Sequence, residues 1–337
     1  MPVVDIFGKT NTNNTIILQE TPVETPQIIL PNQRQSTFAN IGSEVHSAVT
    51  VEEALNLGNL NYEVEKRSIF LADGTPIEGR YATTRTSDDF VYDIVSNQYT
   101  IVQNKDAFDF INYMSKDIQF EKVGETKSGM IYLIASLEPI NILGDTYQPH
   151  LCFRNSHNGK FSLSVTICPL RIVCQNQFHI CFKESPNTID IKHSRKAPEK
   201  LEKASHILKG TADYMKELNS QAEKWANIHI SNEQIEKVLL ELFPIDVENM
   251  KDYQIDRIEE QRTLLKNAYN CNDNQNFKNT MWGMINAYSD FITHKPQYKN
   301  TATSTENNFI AVTFDPKKLK NTLSLMGFIN LVSRIAA

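Results

Sequence analysis

The sequence predicts an α+β protein: a mostly antiparallel sheet with short helices, followed by a C-terminal helical region. Three observations carry that reading. Apolar residues alternate with period two from Tyr62 to Ile167, with turn residues between the runs. From Pro198 onward they recur every three or four positions, and helix-capping pairs stand where the period changes. The expected organisation is a flexible arm over residues 1–40, a sheet domain over 41–193 and a helical region over 194–337 that packs on the sheet.

Residues 1–38 are rich in Asn, Thr, Gln and Pro, a composition that buries too little apolar surface to fold alone. Gly8-Lys9-Thr10 resembles the end of a phosphate-binding loop, but that motif needs glycine at position 3, which is Val3. Thr50 and Glu53 form a capping box ahead of Ala54, Leu55 and Leu57, and Gly58 supplies the stop. The runs on either side of Asp73-Gly74 read as a hairpin, with further strands at Phe90–Val95 and Tyr99–Val102. Asp106–Met114 has helical spacing, and Gln119–Val123 pairs with Met130–Leu137 across Lys127-Ser128-Gly129. A second hairpin joins Leu151–Phe153 to Phe161–Ile167 across a turn ending in Asn158-Gly159. Pro169–Phe182 is read as a helix, because Leu170, Cys174, Phe178 and Cys181 fall three to four apart behind a proline suited to a first turn.

Beyond Pro198 a heptad-like stripe runs from Leu201 to Trp225, fitting either a helix packed on its own sheet or contact with a second copy. Ser231 with Gln234 caps a helix to about Phe243; Asp252–Tyr269 and Phe277–Phe291 are further helices. Trp282, Ile285 and Phe291 form an apolar stripe in the last of these, with Gly283 permitting close approach. Gln297–Asn308 reads as a loop and Pro316–Leu331 as the final helix.

The net charge of −6 argues against a uniformly basic nucleic-acid coat, yet its distribution is uneven. Residues 61–150 carry −6 and 226–275 carry −5, whereas 151–225 carry +5 and 276–337 carry +4. No apolar run is long enough to span a membrane and no signal pattern opens the chain, so a cytoplasmic protein without membrane contact is expected. Five cysteines fit buried, reduced thiols. Cys152, Cys168, Cys174 and Cys181 lack the spacing of a structural zinc site, and no metal or cofactor is expected. On a helix, His179 would lie off the face of Cys174, which disfavours a cysteine nucleophile.

Several blocks together resemble the phage/plasmid-like protein family, a domain of unknown function (number 932). They are Val51-Glu52-Glu53-Ala54-Leu55, Tyr99-Thr100-Ile101-Val102-Gln103-Asn104, Arg171-Ile172-Val173-Cys174-Gln175-Asn176, and Trp282-Gly283 with Asn286-Ala287 and His294. The resemblance covers roughly residues 40–330 and implies a mobile-element origin without supplying a reaction mechanism.

The residues with chemistry to offer are Arg154, Asn155, Arg171, Gln175 and Asn176, because guanidinium groups fork onto phosphates and amides both donate and accept; the competing reading pairs Arg171 with an acidic residue of the 61–150 sheet and lets Asn176 cap local backbone. Arg154 and Asn155 should lie at one end of the second hairpin and Arg171, Gln175 and Asn176 beyond its other end. Lys192, Arg195, Lys196, Lys200 and Lys203 add a basic stretch, the last three sharing one helical face with Glu199 and Glu202 interleaved. Tyr92, Tyr99, Phe153 and Phe178 are the aromatic side chains available for stacking. The expected function is a non-enzymatic accessory protein of DNA metabolism binding exposed nucleic acid, preferentially single-stranded DNA. The alternatives are a protein that binds a host factor and, behind it, a hydrolase or nucleotide-modifying enzyme joining Arg171 and Asn176 to Asp88, Asp89 or Asp93.

Overall fold

The structure is a computed structural model that describes residues 35–114, 116–191, 197–294, 304–319 and 322–337. In chain order, β1 (Ser43–Glu44) precedes α1 (Val51–Leu57), where Thr50 accepts from the Glu53 amide at 3.2 Å. Strands β2 (Val64–Phe70), β3 (Pro76–Arg85) and β4 (Val91–Ser96) form a separate antiparallel sheet. A short helix α2 (Asn104–Phe108) runs into a 3-10 helix, Asp109–Met114. Then follow β5 (Gln119–Glu125), β6 (Met130–Ser136), β7 (Ile140–Ile142), β8 (Asp145–Ser156), β9 (Ser164–Arg171), β10 (Asn176–Gln177) and β11 (Thr188–Asp190). The helices are α3 (Ala197–Ala226), α4 (Asn232–Leu242), α5 (Asp252–Asn270), α6 (Met281–His294), α7 (Ser304–Thr313) and α8 (Leu325–Ala336).

The main sheet has the order β1-β5-β6-β8-β9-β10, with β7 on β8 and β11 on β9, all antiparallel. Both of its faces are covered. On β6, Ile131, Leu133 and Ala135 enter a large core with α1, α2, α3 and α6, while Met130, Tyr132 and Ile134 meet Phe38, Phe309 and Phe314 in a smaller one. The α3 stripe, with Ala204, Ile207, Tyr214, Leu218 and Ala222, is buried in the large core of its own chain. Among the described residues no helix is long and apolar enough to cross a membrane.

Four expectations need correction. Pro169–Phe182 is not a helix: Pro169–Arg171 ends β9, the chain turns through Ile172–Gln175 with Gln175 at φ +57°, and Asn176-Gln177 pairs back on Arg171 and Leu170. A strand buried on both faces has no polar side to alternate with, so its apolar run imitates a helix. Tyr99–Val102 forms no strand; instead Gln103 takes the place of a neighbour at the β2 edge, its amide accepting from Val64 N–H (3.0 Å) and donating to Val64 O (2.8 Å). The predicted 297–308 loop contains the first turn of α7, whose apolar residues come only in its second half; residues 297–303 lie outside the described set. The final helix begins at Leu325, not Pro316, because Ser324 caps it by accepting from Gly327 N–H at 3.1 Å. Residues 1–34 of the expected arm also lie outside the described residues, while Thr37 and Phe38 are buried.

Candidate functional site

The hairpin β8–β9 separates the sequence-predicted residues into two groups. Arg154 pairs with Ser164 and Tyr147 with Arg171, so seven residues at about 3.3 Å each put the groups about 23 Å apart.

At the Arg171 end, Arg171 and Asn176 are turned inward. The Arg171 side chain is 2% exposed, donates from Nε to Asp145 at 2.8 Å and from Nη2 to the Asp273 carbonyl at 2.5 Å, and its Nη1 lies 3.4 Å from the Cys174 sulfur. Burial opposes its charge, and the Asp145 carboxylate beside it offsets that penalty. Asn176 accepts from the Cys174 thiol at 2.5 Å and donates to Ser289 on α6 at 2.8 Å; Ser289 in turn donates to Gln177 O. His294 donates to the Cys174 carbonyl at 2.9 Å. The two blocks Arg171–Asn176 and Trp282–His294 therefore meet as a clasp between β9–β10 and α6. Burial pushes the Cys174 thiol up to about 12, against the pull of Arg171, which makes it a poor nucleophile. Gln175 is half-buried and donates to Ile172 O.

The carboxylates proposed for an enzymatic pocket are engaged elsewhere. Asp88 pairs with Arg85, Asp89 with Arg67 and Asp93 with Lys160, all on the three-stranded sheet and its contacts, while Arg171 takes Asp145. They do not converge on Arg171 and Asn176. Among the described residues no group of three His, Cys, Asp or Glu side chains could hold a metal ion. All five cysteines are free; Cys181, expected to be buried, is exposed because its segment is not the inward-facing helix the spacing suggested.

The other end of the hairpin gathers side chains from many segments. Asn155 donates to Val102 O (3.0 Å) and to Asn104 Oδ1 (3.2 Å), and Asn104 donates to Leu60 O (3.0 Å). These bonds fix the Asn104 amide, so the contact of His157 Nε2 with Asn104 Oδ1 at 3.0 Å must carry the proton on Nε2. His157 is fully buried and burial lowers its pKa to about 4. Above it Tyr92 lies 2.8 Å from Tyr62, Tyr62 donates to Glu125 at 2.9 Å, and Arg85 donates to the same Glu125 oxygen at 3.0 Å. Burial and Glu125 push the Tyr62 hydroxyl up to about 12.

Beside this cluster runs a cationic and aromatic ridge. The Arg154 guanidinium sits 5.8 Å from the ring centroids of both Phe161 and Phe314, and Lys318 Nζ lies 5.7 Å from Phe161. Lys160 precedes Phe161 in the turn, and Lys317 and Lys318 are exposed on the 3-10 turn Pro316–Lys318. Arg154 also donates to Ser164 at 2.7 Å, and burial lowers its pKa while Asp190 and Asp315 oppose that shift. Of this ridge, Arg154 alone was predicted as a ligand contact. Lys160, Phe161, Lys317 and Lys318 come from segments about 155 positions apart that only the fold joins; the +4 charge of residues 276–337 was the available signal.

Two residues of the predicted lysine face are described, Lys200 and Lys203. Lys200 forms an ion pair with Asp109, and Lys203 is half-buried, with burial lowering its pKa. Lys192, Arg195 and Lys196 lie outside the described residues. Of the stacking candidates, Phe153 and Phe178 are fully buried in the core, Tyr92 belongs to the His157 cluster, and half-buried Tyr99 donates to Ser156 O.

A family profile described as Domain of unknown function (DUF932) matches residues 91–312, about two thirds of the chain. No curated protein and no solved structure matches it.

Proposed function

The chain belongs to the DUF932 family, and from that premise we propose that it is a non-enzymatic nucleic-acid-binding protein of a phage or plasmid type of mobile element, acting in the host cytoplasm. The observation that carries the reading is the ridge, where the Arg154 guanidinium and Lys318 Nζ both lie within 5.8 Å of the Phe161 ring centroid, Lys160 precedes Phe161 and Lys317 precedes Lys318. Cations track a phosphate backbone, and the exposed part of a partly buried aromatic ring offers a stacking contact that unpaired bases can use and stacked duplex bases cannot. Single-stranded DNA is therefore the preferred ligand. The resemblance supports the mobile-element setting, and the internal engagement of Arg171 and Asn176 moves the ligand contacts to the Arg154 end.

The test is fluorescence anisotropy with a labelled single-stranded DNA, the same sequence as duplex, and an RNA version, over a salt series. Lys317→Glu with Lys318→Glu should weaken binding and reduce the slope of log K against log salt by about 1.4, two phosphate contacts at about 0.7 each. Equal affinity and slope in the double variant, or no binding at about 50 mM salt, refutes the reading.

A further inference from the structure

The three-stranded sheet is attached to the body in an unusual way. No residue of β2, β3 or β4 belongs to either apolar core cluster. Val64, Ala82 and Val95 are the buried apolar side chains of its strands; its other ties to the main sheet are Tyr62, just before β2, and Arg85 on Glu125, the ring contact of Tyr92 with His157, and Asp93 on Lys160 at 2.8 Å. Glu125 is the central latch, since one carboxylate oxygen accepts from both Tyr62 and Arg85. With three buried aliphatic side chains and no member of either core cluster, such a joint loses less apolar burial on opening than the main sheet would, which places it toward the low-stability end of a structure.

The module also carries the charge that a competitor of nucleic acid would need. Residues 61–102 hold seven acidic and four basic side chains, against the +5 of residues 151–225 that include the β8–β9 turn. The contact it makes with the ridge is an acidic one: Asp93 occupies Lys160, one residue before Phe161.

We propose that the β2–β4 sheet is an acidic lid, closed in this structure, that occupies Lys160 in place of a phosphate and opens when nucleic acid binds. This rests on the nucleic-acid reading of the ridge. Opening breaks the Glu125 latch and the Asp93–Lys160 pair and leaves the main sheet intact, because β5, β6, β8 and β9 hold their own cores.

The test combines the anisotropy assay with hydrogen exchange read by mass spectrometry on the full chain. Asp93→Asn should tighten binding of a 30-nucleotide single-stranded DNA by about two- to five-fold, the worth of one exposed ion pair. Glu125→Gln should speed amide exchange in 62–102 while leaving 130–167 unchanged, and adding the DNA to the wild type should speed exchange in the same segment. Binding that is unaltered in both variants, or DNA that slows exchange in 62–102, overturns the lid and leaves the ridge reading standing. Binding by neither wild type nor variant overturns both.

Discussion

Replacing Arg171 by methionine separates a structural hub from a ligand contact. Methionine keeps much of the volume but removes the donors held by Asp145 and the Asp273 carbonyl, leaving Asp145 without its partner. Removing one member of a buried pair costs about 3–5 kcal/mol, and because Asp145 is 19% exposed and can recover some hydration, the lower figure of about 3 kcal/mol applies. With a urea dependence of about 3 kcal/mol per molar, the unfolding midpoint should fall by about 1 M. The assay is tryptophan fluorescence in urea, since Trp282 lies 6.5 Å from Phe277, the ring against which Arg171 rests. In the double variant Arg171→Met with Asp145→Leu neither charge is left unpaired, so much of the loss should return, giving a coupling of about 2 kcal/mol. Arg171→Lys should fall between, because an ammonium cannot reproduce the planar fork. A midpoint shifted by less than about 0.2 M in Arg171→Met, accompanied by weaker DNA binding, would refute the clasp and restore Arg171 as a ligand contact.

Three further outcomes follow from the same packing. Burial holds the His157 pKa at about 4, below the unfolded value near 6.5, so the unfolded chain takes up more protons as pH falls; stability present above about pH 6.5 is lost toward pH 4, by about 2 kcal/mol at pH 5. Urea midpoints of wild type and His157→Gln between pH 7 and 5 check this, and equal pH slopes would count against it. Gly283→Ala normally gains about 1 kcal/mol in a helix, but here the added Cβ would stand 2.1 Å from the Phe277 carbonyl oxygen, so the variant should melt lower, by the equivalent of about 1–3 kcal/mol; a stabilised variant contradicts the packing. In the native protein a thiol reagent at pH 8 should modify Cys181 quickly and leave Cys152, Cys168 and Cys174 for denaturant, and prompt modification of the latter three would show that β8–β10 are not buried.

What the sequence made legible depended on whether an element has one wet side. The β2–β3 and β5–β6 hairpins, the Ser231–Gln234 cap and Gly283 were readable because polar alternation, a side chain bonded to its own helix end or a missing Cβ leaves a local signature. The Pro169–Phe182 segment was misread for the opposite reason: β9 packs on both faces, so its residues report burial without period. The site divides along the same line. Arg154 and Asn155 were identified by residue type, but type alone cannot tell an amide that reads a ligand from one that ties Val102 and Asn104 together. The turn that carries Phe161 had a local signal, Asn158-Gly159, whereas the cations that flank the ring come from a 3-10 turn near the other end of the chain. Long-range placement of this kind is set by which helices cover the second face of the sheet. Here α7 brings Phe309 onto Tyr132, Phe314 just past its end reaches Arg154, and the exposed Lys317 and Lys318 follow three and four residues behind Phe314. Burial of one aromatic residue thus fixes the position of the cations next to it, and a substitution of Phe314 should weaken DNA binding without touching a single charge.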